Sequence, residues 1–559
     1  MKLVIAFLCL LFYSPAFAVE GPNTVAGYPP EEALRLGAAM YLQGVLPSGK
    51  PLTGVVQGNI NKSGKTVACV NCHQHSGLGT YDQWSFILPI SGPKLYSPLQ
   101  TMNDIPGNSM KRAMFAYPRP AYTDESLANA LMHGLDPNAR ILNDPMPRFL
   151  LDENATKIMV FYLKNLSREL SPGVTEDEIR FATILTDDMS PSDRDALLLP
   201  MKAYINDEWN ARLSVLAEKS SAVWYVKNKP VSGKTYLKAS LDVWELKGPP
   251  DTWGKQLDAF YAQKPVFAIL GGIAPGKWTP IHDFCEKNKI PALFPFTGLP
   301  VISEADWYTL YFSKGYYQEG EAAAKYLARV AKLPPGKKVV QVFRNSDEGN
   351  ALAKGFAETW KKLGKASLTD KVVAPAEKTG PDFWKKLSTT HPNSVILIWL
   401  GPADLTGLDT LAKPGNKATL FLSSTMLAGS LNSIPDKVRD FTFLTWPTRL
   451  PNDEQYTKTI VTNWMKMKKI PVTNMTISSR VFFLTRLLSK TLMDLRGDFY
   501  RDFLLDIIDY GDEQPTSSVT YPLLSFRQGQ RYASTGCYVV TVTKGEKPQV
   551  VKKSEWIIN

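Results

Sequence analysis

The stretch "PVFAILGGIAPGKWTPIHDFCEKNKIPALFP", residues 265–295, contains the succession of elements that decides the fold of most of the chain. Its apolar start predicts a buried strand over residues 266–272, which ends in two glycines. A helical stretch follows, and "KIPALF" predicts another apolar strand directly after it. A strand, a glycine turn, a helix and a strand together indicate the repeating unit of a parallel sheet.

The same alternation continues on both sides of this stretch. Apolar runs predict further strands at 179–186, 338–343 and 394–401, and helical periodicity predicts helices at 319–333 and 351–363. Strands that alternate with helices of this length predict parallel α/β sheets with helices on both faces. Because a segment of about 360 residues is too long for one such sheet, we expect two lobes.

Residues 177–545 resemble the type I periplasmic solute-binding proteins of the branched-chain amino acid receptor type. Besides the opening stretch, "GKKVVQVFRNSDEGNALAKGFAETWKKLG" and "SFRQGQRYASTGCYVV" carry the resemblance. It implies an α/β domain of two lobes over residues 179–559, each lobe a doubly wound sheet, which close on a ligand by hinge motion. It also implies a solute receptor or a substrate-binding protein of an ABC-type transport system.

In open parallel sheets the ligand crevice lies outside the carboxyl ends of the strands. The residues predicted at those ends are Thr186, Gly271, Gly272, Trp278, Thr279, Gly401, Ser423, Ser424 and Trp446. Glycines there would let backbone N–H groups approach a carboxylate, and hydroxyls could orient it. Packing or turning the chain is an equally good explanation for each of them. Arg344 suits an acidic ligand, or is a solvated surface cation.

Several strand-end positions differ from those of amino acid receptors, which hold the amino and carboxylate groups with polar side chains. Phe296, Trp399 and Trp446 are large and apolar. They argue against an amino acid ligand and favour an aromatic or otherwise less polar molecule, or a pocket that binds nothing. The sequence leaves this choice open.

A different kind of site is indicated by "VACVNCHQHSG", residues 67–77, where Cys69, Cys72 and His73 follow the pattern C-x-x-C-H. A zinc site would need further ligands, and the five histidines include no matching second pair. A redox dithiol would follow a strand, and none is predicted there. The spacing is typical of haem c attachment, in which the thiols bond the vinyl groups and the imidazole ligates iron.

Residues from about 25 to 170 resemble a class I cytochrome c, and the domain is expected to span residues 19–170. The stretch 31–41, "EEALRLGAAMY", resembles the first helix of that family, with Gly37 allowing another helix to approach. The stretch 156–166, "TKIMVFYLKNL", resembles the last helix, with Tyr162 and Leu166 on the face that meets the first. The resemblance implies an all-α domain in which these helices cross above one covalently attached haem c.

The distal iron ligand implied by this resemblance is Met146, in "NDPMPRF", which matches the family's Met-Pro loop. Methionine is more often a packing residue than a ligand, and the rival residues are Met110, Met114, Met132, Met159, His75 and His133. None of the rival methionines is flanked by prolines. With His73 and Met146 both bound, the iron would have no open position, which implies one-electron transfer.

The start of the chain predicts export. A basic residue, an apolar run over residues 3–13 and "AFA" ending at Ala18 indicate a secretory signal peptide, residues 1–18, that is cleaved after Ala18. The apolar run is too short for a membrane span, and no other stretch is long and apolar enough. We therefore expect a periplasmic protein without a transmembrane segment. Residues 171–178 are the expected linker.

The remaining cysteines of the mature chain, Cys285 and Cys537, are expected to be buried free thiols, because a disulfide between lobes would oppose hinge motion. The formal net charge of +11 falls almost entirely on residues 171–559. It could steer docking to an acidic partner or an anionic membrane, or simply reflect a basic protein. No nucleotide-binding loop, catalytic triad or nucleic-acid motif is present.

Two functions follow from the two resemblances. The first is a periplasmic monohaem cytochrome that transfers single electrons, with the solute-binding module sensing a ligand or docking a redox partner such as a dehydrogenase or another cytochrome. The alternative is a solute receptor of an ABC-type system in which the haem is accessory. The sequence analysis ranks electron transfer first. An enzyme is not expected, although the role of an oxidoreductase subunit stays open.

Overall fold

The computed structural model describes residues 24–79, 87–99, 118–213, 235–330, 337–365, 368–374, 376–412, 418–510, 518, 520–526 and 529–558. The predicted signal peptide, Met110 and Met114 lie outside these residues. The chain divides into two compact units after Glu169. None of the described helices is long and apolar enough to cross a membrane.

The first unit is mainly helical. Its helices are α1 (Pro30–Gln43), α2 (Val70–His73), α3 (Gly92–Leu95), α4 (Asp124–His133) and α5 (Glu153–Asn165). A β-carbon at Gly37 of α1 would lie 2.4 Å from the Cβ atom of Tyr162 in α5. Gly37 therefore permits the close contact between these helices, as the sequence predicts. Leu166 follows α5, belongs to the same apolar cluster as Met40 and Tyr41 of α1, and lies 2.4 Å from the position of a β-carbon at Gly77.

The expectation of an all-α unit is wrong, because a small antiparallel sheet is also present. It has the order β2-β1-β3, with β1 at Thr53–Val56, β2 at Ile60–Ser63 and β3 at Arg148–Phe149. A β-carbon at Gly54 would lie 2.8 Å from Pro147, so glycine lets the chain after Met146 reach β1. These strands are too short for sequence periodicity to show them.

The second unit begins with a parallel sheet in the order β5-β4-β6-β7-β8. Its strands are β4 (Glu178–Thr186), β5 (Lys238–Leu246), β6 (Ala268–Leu270), β7 (Ala292–Leu293) and β8 (Thr309–Leu310). The helices of this lobe are α6 (Pro191–Ala203), α7 (Trp253–Gln263), α8 (Thr279–Lys287), α13 (Met475–Leu495) and α14 (Arg501–Tyr510). Two apolar clusters cover the two faces of the sheet, one including Phe181 and Leu484 and the other Ile184 and Phe284. We call this the first lobe.

The second lobe contains a sheet in the order β10-β9-β11-β12-β13-β14-β15, with β16 paired to β14. The strands are β9 (Val339–Arg344), β10 (Leu368–Val373), β11 (Val395–Trp399), β12 (Thr419–Ser423), β13 (Thr442–Trp446), β14 (Gly536–Val542), β15 (Val550–Lys552) and β16 (Ile557–Ile558). Strands β9 to β13 are parallel and β14 to β16 are antiparallel. Helices α9 (Tyr316–Lys325), α10 (Asp347–Lys362) and α11 (Pro381–Thr390) complete it. Helix α12 (Pro451–Met467) belongs to the first lobe, where the ring of Trp464 lies 5.2 Å from that of Phe482 in α13.

The chain crosses between the lobes after β8, after β13 and before β14. The first and last crossings run side by side. Ala533 donates its N–H to the Tyr311 carbonyl at 3.0 Å, and Ser534 donates to the Phe312 carbonyl at 2.7 Å. The predicted two-lobed α/β architecture is confirmed.

The expected linker 171–178 is instead bonded into the second unit. The Arg501 N–H donates to the Ser171 hydroxyl at 3.0 Å, and the Arg501 guanidinium donates to the carbonyls of Pro172 at 3.3 Å and Val266 at 2.6 Å. A buried arginine thus fastens this segment to the amino-terminal edge of the first sheet. Cys285 in α8 and Cys537 in β14 are buried and free, as expected.

Candidate functional site

The C-x-x-C-H stretch forms a single helical turn. Cys69 immediately precedes α2 and is buried, whereas Cys72 within the helix is exposed, and both are free thiols. The N–H groups of Cys72 and His73 donate to the Cys69 carbonyl at 3.1 and 2.9 Å. Burial raises the pKa of Cys69 to about 12. The turn therefore holds two thiols and an imidazole together in one short segment.

The His73 ring is fixed by the backbone. Its Nδ1 atom lies 3.0 Å from the Leu88 carbonyl, and a carbonyl only accepts hydrogen bonds, so Nδ1 carries the proton and Nε2 holds a free lone pair. Burial lowers the pKa of His73 to about 4, which keeps the ring neutral at pH 7. A neutral imidazole whose other nitrogen is held by a carbonyl is the form that ligates metal ions.

Met146 lies in a loop that Arg148 holds. The Arg148 guanidinium donates to the Met146 carbonyl at 2.6 Å and to the Leu142 carbonyl at 2.5 Å. The Met146 side chain packs against the apolar core of the first unit, which also contains Cys69. Two thiols would bond the vinyl groups of a haem c, and a neutral imidazole and a thioether would be the two axial donors of its iron, so the residues present fit that group.

The rival ligands have other environments. Met159 is buried within α5, and the Thr156 hydroxyl lies 3.8 Å from the sulfur of Met132 in α4. His133 ends α4 and is exposed. Nowhere among the described residues do three or more His, Cys, Asp or Glu side chains form a metal site.

At the carboxyl edge of the first lobe, the two predicted glycines follow β6 with φ angles of +59° and +99°. A β-carbon at Gly271 would lie 3.6 Å from Leu197, Met201 and Leu484. At Gly272 it would lie 3.1 Å from the Trp278 ring. The positive φ angle therefore favours glycine at both positions, and close packing favours it at Gly272 as well.

Other predicted residues of this edge differ in their exposure. Trp278 is fully buried, and Thr186 is buried at the end of β4. Thr279, the first residue of α8, is exposed. Of these three, only Thr279 presents its side chain to solvent.

The predicted residues of the second lobe also separate into interior and accessible ones. Ser423 is fully buried and its hydroxyl accepts the Met426 N–H at 3.0 Å. Ser424 is partly exposed, and Trp446 is half-buried with its indole N–H donated to the Arg449 carbonyl at 2.9 Å. Gly401 has open space where a side chain would begin, with no atom within 4 Å.

The structure does not support Arg344 as a free cation for an acidic ligand. Its guanidinium pairs with Asp404 through contacts of 3.0 and 2.5 Å, and donates to the carbonyls of Ala374 and Glu377. The hydrogen bond to Asp404 raises the pKa of Arg344. Its side chain remains 29% exposed, but these partners accept four hydrogen bonds from its five N–H donors.

Trp399 was expected at the cleft, but it belongs to the core of the second lobe. It is fully buried, and its indole N–H donates to the Gln341 side chain at 2.8 Å. The side chain of the last residue of a strand can point into either face of the sheet, and here it points inward.

Two residues that sequence reasoning missed lie near the strand ends. Glu319 of α9 is buried and accepts the Thr445 hydroxyl at 2.6 Å, and burial raises its pKa to about 7. Arg480 of α13 has its guanidinium carbon 5.7–5.8 Å from the ring centres of Phe296, Phe312 and Tyr521. Nothing in the pattern of either helix marks these residues, because their neighbours come from distant segments.

The carboxyl edges of the two lobes meet in this structure. Lys277 follows β6 of the first lobe, Asp347 begins α10 after β9 of the second lobe, and their charged atoms are 2.7 Å apart. Tyr316, at the start of α9, donates its N–H to the Gly298 carbonyl of the first lobe at 3.1 Å. Two doubly wound lobes joined by paired crossings, with facing carboxyl edges, define a two-lobed ligand-binding protein.

Comparison with known families agrees with this class. Residues 229–546 match the family described as periplasmic binding protein, and the chain therefore belongs to that family. The family implies a periplasmic or other extracytoplasmic location, and its members typically bind ligands without catalysing reactions. The match does not extend to the first unit. A search of curated proteins finds no match.

Three solved structures illustrate what the chain is similar to. A fatty acid ABC transporter substrate-binding protein from Thermomonospora curvata is 17% identical, with 70% of this chain and 95% of that chain covered and a TM-score of 0.44. A leucine binding protein from Thermotoga maritima is 13% identical, with coverages of 68% and 99% and a TM-score of 0.43. A solute binding protein from Rhodopseudomonas palustris in complex with p-hydroxybenzoic acid is 13% identical, with coverages of 68% and 97% and a TM-score of 0.46.

Proposed function

We propose that this protein is a solute receptor or the substrate-binding protein of an ABC-type system, and that it holds a small molecule between its two lobes. The observation that carries the proposal is the contact of Lys277 with Asp347, which brings together the carboxyl edges of two lobes in a member of this family. The order of the two functions is therefore the reverse of the sequence-based ranking, which put electron transfer first.

The contacts between the lobes would allow the cleft to open and close. The hydrogen bonds of Tyr311 and Phe312 to residues 533 and 534 hold the crossings together, while the contacts at the mouth are weak. Lys277 and Asp347 expose 62% and 42% of their side chains, and an exposed ion pair contributes about 0–1 kcal/mol. A ligand that touches both edges can therefore shift the equilibrium toward the closed form.

The test is a thermal-shift screen of the full mature protein against periplasmic solutes. A ligand raises the melting temperature in a concentration-dependent way, because it binds only the folded state. Gly401→Trp fills open space at the cleft edge and should abolish the shift. The control Lys361→Trp adds the same bulk at the exposed carboxyl end of α10 and should preserve it. No stabilising solute, or an unchanged shift in Gly401→Trp, would count against the proposal.

For the first unit we propose one covalently attached haem c, bonded by Cys69 and Cys72 and ligated by His73 and Met146. The supporting observation is the contact between the His73 Nδ1 atom and the Leu88 carbonyl. When bound, the haem supplies reversible one-electron chemistry of its iron. The Leu88 carbonyl sets the imidazole tautomer and Arg148 holds the Met146 loop. The electron partner would be a periplasmic dehydrogenase or another cytochrome.

Expression with a haem-attachment system tests this second proposal. Haem should remain on the denatured polypeptide, and Cys72→Ala should weaken that retention. Met146→Ala should remove the weak absorption band of iron–thioether ligation from the oxidised protein. The matched control is Met132→Ala, which removes a methionine of α4 and should keep the band. A polypeptide without covalent haem would overturn the proposal, and a retained band in Met146→Ala would overturn the assignment of the ligand.

A further inference from the structure

Arg480, on α13 of the first lobe, has few hydrogen-bond partners for its guanidinium group. Among the described residues it makes one hydrogen bond, 3.4 Å long, to the Tyr521 hydroxyl, and it forms no ion pair. Its Nε atom is buried and has no hydrogen-bond partner. A guanidinium has five N–H donors, and leaving such a donor buried and unpaired is unfavourable.

Two other arginines of this lobe, Arg531 and Arg501, show how the protein can pair a guanidinium group. Arg531 is buried with Asp509 and also donates to the Trp307 carbonyl at 3.0 Å. Arg501 donates to several backbone carbonyls, among them Phe267 at 3.0 Å. Both therefore have oxygen partners on the protein, and Arg480 has none that carries a charge.

The position of Arg480 is set by the strands beneath it. Phe296 lies just beyond the end of β7 and Phe312 just beyond β8, so the guanidinium lies over the carboxyl edge of the first sheet. Ligands of open parallel sheets bind at this edge. Ser534, which is bonded to Phe312 through the backbone, also has a buried hydroxyl without a partner. Two unpaired donors thus adjoin the same phenylalanine.

We infer that Arg480 binds the carboxylate of the ligand, and that the ligand is a carboxylate with an apolar body and no amino group. The inference deepens the proposed ligand-binding function and rests on it. A guanidinium offers a carboxylate two parallel hydrogen bonds. The rings of Phe296 and Phe312 supply an apolar wall beside it, with centroids 5.8 Å apart. The side chains that lie against the guanidinium include the rings of Phe296, Phe312 and Tyr521, and none of these three carries a negative charge that would pair with an amino group.

The experiment is calorimetric titration of the full mature protein with benzoate and hexanoate, with benzamide and L-leucine as probes of charge and amino group. We expect the carboxylates to bind, and benzamide and L-leucine to bind more weakly. Arg480→Met keeps the apolar stem and should weaken carboxylate binding by about 10- to 100-fold. Arg480→Lys keeps the charge and should lose less affinity.

Arg486→Met is the matched control, because Arg486 is on the same helix and also stacks on two aromatic rings, Trp464 and Phe482. It differs in being paired with Glu208, at 3.2 Å. Its carboxylate affinity should not change. A melting temperature recorded for each variant distinguishes lost binding from lost folding.

The outcomes distinguish this inference from the function on which it rests. If other solutes bind and are excluded by Gly401→Trp, while no carboxylate binds, the receptor proposal stands and the inference is wrong. Equal carboxylate affinity in a folded Arg480→Met variant would also overturn it. If no solute binds at all, both fail together.

Discussion

The ionisable side chains at the carboxyl edges of the two lobes differ in whether they have partners on the protein. In the second lobe Arg344 pairs with Asp404, and Glu319 accepts a hydroxyl while buried under the strand ends. In the first lobe Arg480 lies among aromatic rings without a carboxylate partner. Arg344 and Glu319 thus have protein partners and stabilise the fold, whereas Arg480 remains available to a ligand. Changes to these groups should therefore affect stability in the second lobe and binding in the first.

The largest expected effect on stability concerns Glu319. Its pKa is about 7 in the folded protein against 4.5 for the ordinary carboxyl. Between these values the folded state retains a proton that the unfolded state has lost. Stability should therefore fall as pH rises from 4.5 to 7, by about 3 kcal/mol, and then level off.

Glu319→Gln mimics the protonated form and should remove that part of the pH dependence. Urea unfolding of the parent and the variant at pH 5 and pH 8 measures it. The comparison is made between the two proteins, because Asp509, whose pKa burial raises to about 6, titrates in both. The same pH dependence in both proteins would show that Glu319 does not hold the proton.

A smaller effect on the free energy of unfolding is expected when Arg344 or Arg480 is replaced, and it should differ between the two. Arg344→Met leaves Asp404, only 17% exposed, without its partner, and should lower the free energy of unfolding by about 2 kcal/mol. Arg480→Met removes contacts with aromatic rings and an unpaired donor, and should cost less than about 1 kcal/mol. Both values come from urea unfolding at pH 7. An Arg480→Met loss as large as that of Arg344→Met would make Arg480 a structural residue.

The comparison also explains what the sequence could predict. Strand and helix positions in both lobes followed from local periodicity, as with β4, predicted at 179–186 and found at Glu178–Thr186. The Gly37 contact followed from the resemblance of two helices to a known pair. The C-x-x-C-H pattern is local as well, since one helical turn contains its residues.

The partners of charged side chains could not be predicted in this way. Arg344 ends a strand, which made it a candidate, but its partner Asp404 lies 60 residues further along the chain. Arg480 is on a helix and not at a strand end, and its three rings come from separate segments. Sequence periodicity predicts neither the pair of Arg344 with Asp404 nor the contacts of Arg480 with the rings, because both depend on how distant segments pack.

The central claim is that the two lobes close on a small molecule. Spin labels at Asp251→Cys, an exposed residue of the first lobe, and Lys385→Cys, an exposed residue of the second lobe, would measure it directly. Cys285 and Cys537 are buried, whereas Cys72 is exposed, so the labelled protein also carries Cys72→Ser to confine the labels to the introduced thiols. The account predicts a shorter and narrower distribution of label distances when a stabilising solute is added. A distribution that does not change at a saturating concentration of that solute would contradict it.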